Sequence, residues 1–344
     1  MFKKIEIWIL YLVIFLSFPF TISFGILVRQ ELIGSTKLGK FSETTLFLAE
    51  VPTNIIKVYS RIFGSEVTLQ DRFPNIDGFV GIPNINESYL LLSKYDGDLR
   101  EGVVELVDLR NFQVLHTWNP DIDKFNNLVN KTGEFKNLVR DGNNSRETLQ
   151  HPLLTKDGGL IFQPFRKIDE CSNLIFQNIN NKKMTPFHHS MEKDIEGNFW
   201  IPSRIYPQSL SSEKVGRDIK DNRGYIDDSI IKVSPNRKIL FEKSISEIFI
   251  ENDLEYLLFS VGDNRFTYDP IHLNDIQPVN FDSKYWKKGD VFISIRHQSM
   301  VFLYRPSTNK IIWKGTGQFF HQHDVDILDE HRIAVFNNNS KDFV

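Results

Sequence analysis

All nine histidines of this chain lie beyond residue 115. The densest group is GQFFHQHDVDIL, residues 317–328, where His321 and His323 stand two apart and Asp324 follows. An imidazole titrates near neutral pH, so it serves as nucleophile, proton carrier or metal ligand as readily as it packs. On a strand the two rings would share one face, which makes a metal site conceivable. No third ligand at a diagnostic spacing accompanies them, and no metal is expected. A second group is VFISIRHQSMVF, where Arg296 closes an apolar run beside His297. A guanidinium stays charged and presents a planar fork to sulfate, phosphate or carboxylate oxygens. The bland alternatives are a salt bridge at a sheet rim for the arginine and blade-turn hydrogen bonding for the histidines.

The elements that would carry these residues are short strands between turns, and they repeat from about residue 78. GVVELVDLRNFQVLHTW (102–118), DSIIKVSPNRKILFEK (228–243) and QSMVFLYRPSTNKIIWKG (298–315) each read as an outer hairpin. A second unit opens on histidine and leads through a turn into a strand, at His151, His189, His272 and His323. Alternating units, each too small to bury its own faces, predict stacked four-stranded blades, that is, a β-propeller. Blades are expected to start near residues 78, 151, 188, 270 and 321. SISEIFIENDLEYLLFS, residues 244–260, reads as a helical insertion. In a propeller the equivalent ends of inner strands converge on one channel, so the four leading histidines are expected to meet there. The sequence ends inside the fifth blade. That predicts a fragment lacking at least its last blade, because an open ring leaves strand edges unpaired; closure by N-terminal strands is the alternative.

At the other end, Lys3 and Lys4 precede a charge-free run from Ile7 to Val28. As a helix it is long enough to cross a bilayer. No small-x-small cleavage site follows, so residues 1–30 read as an uncleaved signal anchor with the lysines inside and the rest exported. A long signal peptide is the alternative. Residues 31–77 read as a helical connecting region in two pieces broken at Pro52, with Ser42 as a cap; residues 78–344 are the propeller. The charge of −3 and pI near 6.3 show no basic stripe for nucleic acid. No P-loop is present, which disfavours a nucleotide-dependent transferase. The one cysteine, Cys171, excludes an internal disulfide. Sequons at 130 and 143 are short enough to arise by chance.

HHSMEKDIEGNFW, DPIHLNDIQPV, GDVFISIRHQSMVFLYRPSTNKIIWK and HQHDVDILDEHRIAVFNN together resemble the bacterial arylsulfotransferases that do not use the nucleotide sulfate donor. The likeness spans residue 78 to the C-terminus and is most specific over 270–339. It implies a six-bladed propeller exported to the periplasm; the N-terminal anchor, which would tether this chain to the inner membrane, departs from the better-known enzymes of the family, which are soluble after export. It implies transfer of a sulfuryl group from an aryl sulfate to a phenol through a transiently sulfated histidine, with no cofactor. Carried over by motif, His323 of QHDV would be the nucleophile. Arg296 of SIRH and His272 of PIHLND would bind the sulfate oxygens, and His189 of FHHS would complete the set. His188, His321, Asn274 and His297 would be substrate-binding neighbours. The reading from another class is a membrane-tethered propeller that binds a protein or glycan and catalyses nothing, in which the same residues scatter among blade turns.

Overall fold

A computed structural model describes residues 6–32, 40–63, 78–129, 142–163, 165–177, 187–210, 225–259 and 269–339. The chain divides into two compact units, Met1–Ile82 and Pro83–Val344. The first holds two helices, α1 (Ile7–Leu32) and α2 (Lys40–Phe63). Along α1, Ile7–Gln30 is long and apolar enough for a membrane span or a signal sequence, with a mean hydropathy of 2.2 and no burial. The expected break at Pro52 does not occur. α2 runs through Pro52 as one helix, and Ser42 lies inside it rather than at its cap. A proline inside a helix removes one hydrogen bond, and the amphipathic pattern of α2 continues on both sides of it.

The second unit is all-β apart from short helices, with antiparallel sheets in a propeller-like arrangement. β1 (Tyr89–Asp96), β2 (Glu101–Asp108) and β3 (Gln113–Trp118) form a three-stranded first blade, followed by α3 (Ile122–Asn127). Three four-stranded blades follow in chain order. These are β4 (Leu153–Leu154) to β7 (Leu174–Gln177), β8 (Glu192–Lys193) to β11 (Ile239–Ser244), and β12 (Leu273–Pro278) to β15 (Lys310–Thr316). The two-stranded hairpin of β16 (Val325–Ile327) and β17 (Ile333–Val335) comes last. The described residues thus show four blades and a hairpin where six blades were expected. The insertion after β11 is helical as expected, in α4 (Ile245–Ile250) and α5 (Tyr256–Phe259). Ser244 caps α4 by accepting from the Glu247 N–H.

Why these strands read as unbroken apolar runs is clear from what each face meets. Side chains alternate across a strand, so a central strand between two neighbours must be apolar on both faces. In β13 (Val291–Ile295), Val291, Ile293 and Ile295 pack with Trp200 and Ile230 of the preceding blade. Phe292, between them, packs with Val325 and the hairpin. β14 (Met300–Arg305) divides likewise, with Met300, Phe302 and Tyr304 on one side and Val301 and Leu303 on the other. A similar core lies between the first and second blades, and another between the second and third. The core is therefore a series of blade–blade interfaces.

Phe165 shows what one such interface holds. It is fully buried, with ring centroids 5.6, 5.8 and 5.4 Å from Phe176, Phe187 and Phe199. Edge-to-face contacts of this kind add to the burial. Phe165→Ala is expected to cost about 3–5 kcal/mol, the range for a large aromatic removed from a core. Denaturant unfolding would read this as a lower midpoint at unchanged slope.

Candidate active site

Each of the last four sheets begins beside a histidine held in unusual backbone. His151, His189, His272 and His321 have φ of 46°, 59°, 53° and 51° and lead into β4, β8, β12 and β16. A side chain with a Cβ adopts this left-handed region at a cost, so its recurrence marks one local turn used four times. Ladder position refines the expected equivalence of the four leading histidines. His189 and His323 both stand four residues before the last paired residue of their inner strand, Lys193 and Ile327. Gln150 and Asn274 occupy that position in the other two blades. His151 lies one residue deeper and His272 two residues earlier, because the bulge in β12 at Leu273/Asp275 and the differing lead-in turns shift the register.

Buried polar side chains of one blade pin the backbone beside these histidines in the next. Gln163 Nε2 donates to the Ser190 carbonyl, next to His189, at 2.5 Å. Asp228 Oδ2 accepts the Leu273 N–H, next to His272, at 2.8 Å. Asn274 Nδ2 donates to the Gln322 carbonyl, next to His323, and Asp275 Oδ2 accepts the Val325 N–H.

The rings so placed converge. His189 lies 5.1 Å from His272 and 6.1 Å from His323 between centroids, and His272 lies 4.7 Å from His297. Asp269 organises one side. Its Oδ2 is 2.6 Å from His272 Nδ1, its Oδ1 accepts the His272 N–H, and its carbonyl is 2.7 Å from His297 Nδ1. Arg296 Nη1 donates to His297 Nε2 at 2.9 Å. On the other side, Asn338 Nδ2 is 2.9 Å from His323 Nδ1. His188, His189, Asn274, His323 and Asp324 line a cavity of about 810 Å³, together with Lys94, Tyr95 and Phe187 among others. A Cβ on Gly102 would collide with the Glu147 carbonyl, so this glycine lets the Glu147–Thr148 wall approach β2. Arg296, His272, His297 and His321 are not among the lining residues. His321 departs from the shared strand face expected of it. It precedes β16 in left-handed backbone and is 2% exposed, with its ring against Phe320 and 6.5 Å from His297.

Electrostatically the site has two tiers. Burial, reinforced by His188, His272, His323 and Arg204, pushes His189 down to about 3. His323 is also lowered, by burial first and by Arg296 and His272, against a hydrogen bond to the His321 backbone. Further along the inner strands the groups are acidic. Asp275 is raised well above the carboxylate range by complete burial and by the charges of Asp324 and Glu192. Glu192 is raised by burial, while His151, although burial opposes its charge, is held up by Glu192, Asp275 and Asp324. His151 Nδ1 lies 3.9 Å from Glu192 Oε1.

Asp269, His272 and His297 have ligand atoms within 4.8 Å of one another, the closeness a metal would need. Both nitrogens of His297 are already engaged, by the Asp269 carbonyl and by Arg296. A guanidinium at that point opposes a second cation, so the hydrogen bonds account for the cluster. Two groups in the site escaped the sequence reading. Asp269 stands three residues before His272 in DPIH, a local turn signal. Arg204 closes FWIPSR as Arg296 follows VFISI, each five residues after the first paired residue of its strand, Phe199 and Val291. That match was visible in the repeat.

Successive propeller blades thus gather histidines with an arginine beside them. The arylsulfotransferase (ASST) family model matches residues 153–343, more than half of the chain, and the chain belongs to that family. No curated protein matches the sequence. Among solved structures, a protein of unknown function from Bacteroides caccae aligns at 10% identity and a TM-score of 0.30. The alignment covers 66% of this chain, which spans 64% of that one.

The lowered His189 sets a pH window. Its folded value lies below the ordinary imidazole value, so the unfolded chain binds the extra proton. Stability from this group is present above about pH 6.5 and is lost as pH falls toward 3. Ring-proton resonances of His189 are expected to stay fixed from pH 8 to pH 5. His189→Gln is expected to lose less stability than wild type over the same interval, read by denaturant midpoints.

Proposed function

We propose that this chain transfers a sulfuryl group from an aryl sulfate to a phenolic acceptor through a sulfohistidine. The observation that carries the reading is the convergence of His189, His272 and His323 within the segment that matches the family. In the first step the unprotonated ring nitrogen of His323 attacks sulfur. An N–S bond forms, the aryl O–S bond breaks, and the electron pair leaves with the phenolate. In the second step the acceptor phenol gives up its proton, its oxygen attacks the same sulfur, and the N–S bond breaks. Arg296 and His272 hold the three sulfuryl oxygens through both steps. Fixed positive charge near those oxygens is worth more in a partly dry cavity than in water. As in phosphoryl transfer, positioning and electrostatics supply most of the acceleration. Asn274, His297 and His321 surround this set as substrate-binding groups, with His188 as a supporting one. The proposal includes a six-bladed ring and a membrane-anchored, periplasmic location through α1.

Incubation with a chromogenic aryl sulfate and a phenol tests the reading. Wild type is expected to release phenolate, and His323→Ala to lose release altogether. With acceptor withheld, a sulfated histidine is expected at residue 323 by mass spectrometry. Arg296→Lys, which keeps charge but loses the fork, is expected to lower kcat by about 10²–10³. No release from any aryl sulfate tried would favour the binding propeller.

A further inference from the structure

The surroundings of the adjacent pair His188–His189 favour one assignment of its protons. His188 Nε2 faces two acceptors, the Ser203 carbonyl at 3.3 Å and Asp228 Oδ1 at 3.4 Å. Neither can donate, so His188 Nε2 bears a hydrogen. Asp228 is held for this by the blade itself. It is 1% exposed, its Oδ2 is taken by the Leu273 N–H, and Arg204 Nε lies 3.8 Å from Oδ1. His188 Nδ1 then meets His189 Nδ1 at 2.8 Å. Two nitrogens at that distance share one hydrogen. When the His188 ring carries that one hydrogen, its Nδ1 accepts and the shared hydrogen belongs to His189 Nδ1. A neutral His189 protonated at Nδ1 carries its lone pair on Nε2. His189 lines the cavity with His323, and its ring neighbours are His272 and His323.

We propose that His188 is a positioning residue that sets the tautomer of His189, so that His189 Nε2 is unprotonated and accepts a hydrogen bond that orients the acceptor hydroxyl in the cavity. The hydroxyl proton leaves to solvent as the acceptor oxygen attacks sulfur. Asp228 holds the chain Asp228–His188–His189 at its buried end. The role toward the acceptor rests on the sulfuryl-transfer reading above, whereas the tautomer does not.

The test uses the full-length chain with ¹⁵N-labelled histidine at pH 7.5, where the ring nitrogens of each tautomer give distinct shifts and long-range couplings. Wild-type His189 is expected to show a protonated Nδ1 and an unprotonated Nε2. His188→Gln is expected to keep that pattern, because its amide both accepts from His189 and donates to Asp228. His188→Phe is expected to lose it, while the ring signals of His272 and His323 stay dispersed and report an intact fold. A wild-type His189 protonated at Nε2, or a pattern unchanged in His188→Phe, overturns the proposal. In turnover assays His188→Phe is expected to slow acceptor consumption by about 10²-fold, the cost of a misplaced reacting group. The initial burst of phenolate release is expected to remain. An equal slowing of the burst would overturn the assignment to the acceptor step. If wild type transfers no sulfuryl group at all, the function reading falls and the tautomer result still decides the role of His188.

Discussion

Every histidine in the convergent set sits beside a backbone group that a buried polar side chain of the preceding blade holds. Gln163 binds the carbonyl beside His189, Asp228 the amide beside His272, and Asn274 the carbonyl beside His323. These bonds are buried, so breaking one leaves an unsatisfied group in a poor solvent, at about 1–3 kcal/mol. The lead-in turns hold left-handed φ values that strand pairing alone would not impose. Rigidity at the chemistry thus comes from hydrogen bonds that run between blades, one after another around the channel.

Those bonds can be short only because the blades abut closely. Each central strand gives alternate residues to two neighbours, as Phe292 and Ile293 do on opposite faces of β13. No blade has a second apolar layer of its own, so the interfaces are the core. The outer strands are freer. β15 has no buried residue, and Trp313 is 44% exposed. The structure therefore tightens from rim to channel, and the groups needing fixed geometry lie at the tight end.

Much of this was legible in the sequence. Turn residues, two-residue alternation and the recurrence of histidine before each inner strand located the blades and brought His189, His272 and His323 together. Spacing alone could not place them on the ladder. His151 and His272 are out of register because β12 carries a bulge and the lead-in turns differ, and bulges leave little trace in a pattern of apolar residues. The pins between blades were invisible for a different reason. Asp228 and Leu273 are 45 positions apart, and nothing local marks them as partners. Pro52 misled because its rule is local, whereas the amphipathic face of α2 continues past it.

The electrostatics of the site fit one demand. A nucleophilic imidazole must be neutral, while a sulfuryl group needs positive charge close by. Free in water those needs are independent, but here one arrangement meets both. Burial is the main cause that lowers His323 and His189, and Arg296 and Arg204 add to it in the same direction. A cation that could hold sulfate oxygens thus favours the neutral ring beside it, and burial strengthens its field. Carboxylates do stand against the histidines, Asp269 beside His272 and Asp228 beside His188, while the fully buried Asp275 is shifted toward its neutral form by burial and by Asp324 and Glu192. Under the proposed reaction, burial and the neighbouring arginines keep the lone pairs of His189 and His323 available at neutral pH without giving up the charge that stabilises the transferring group.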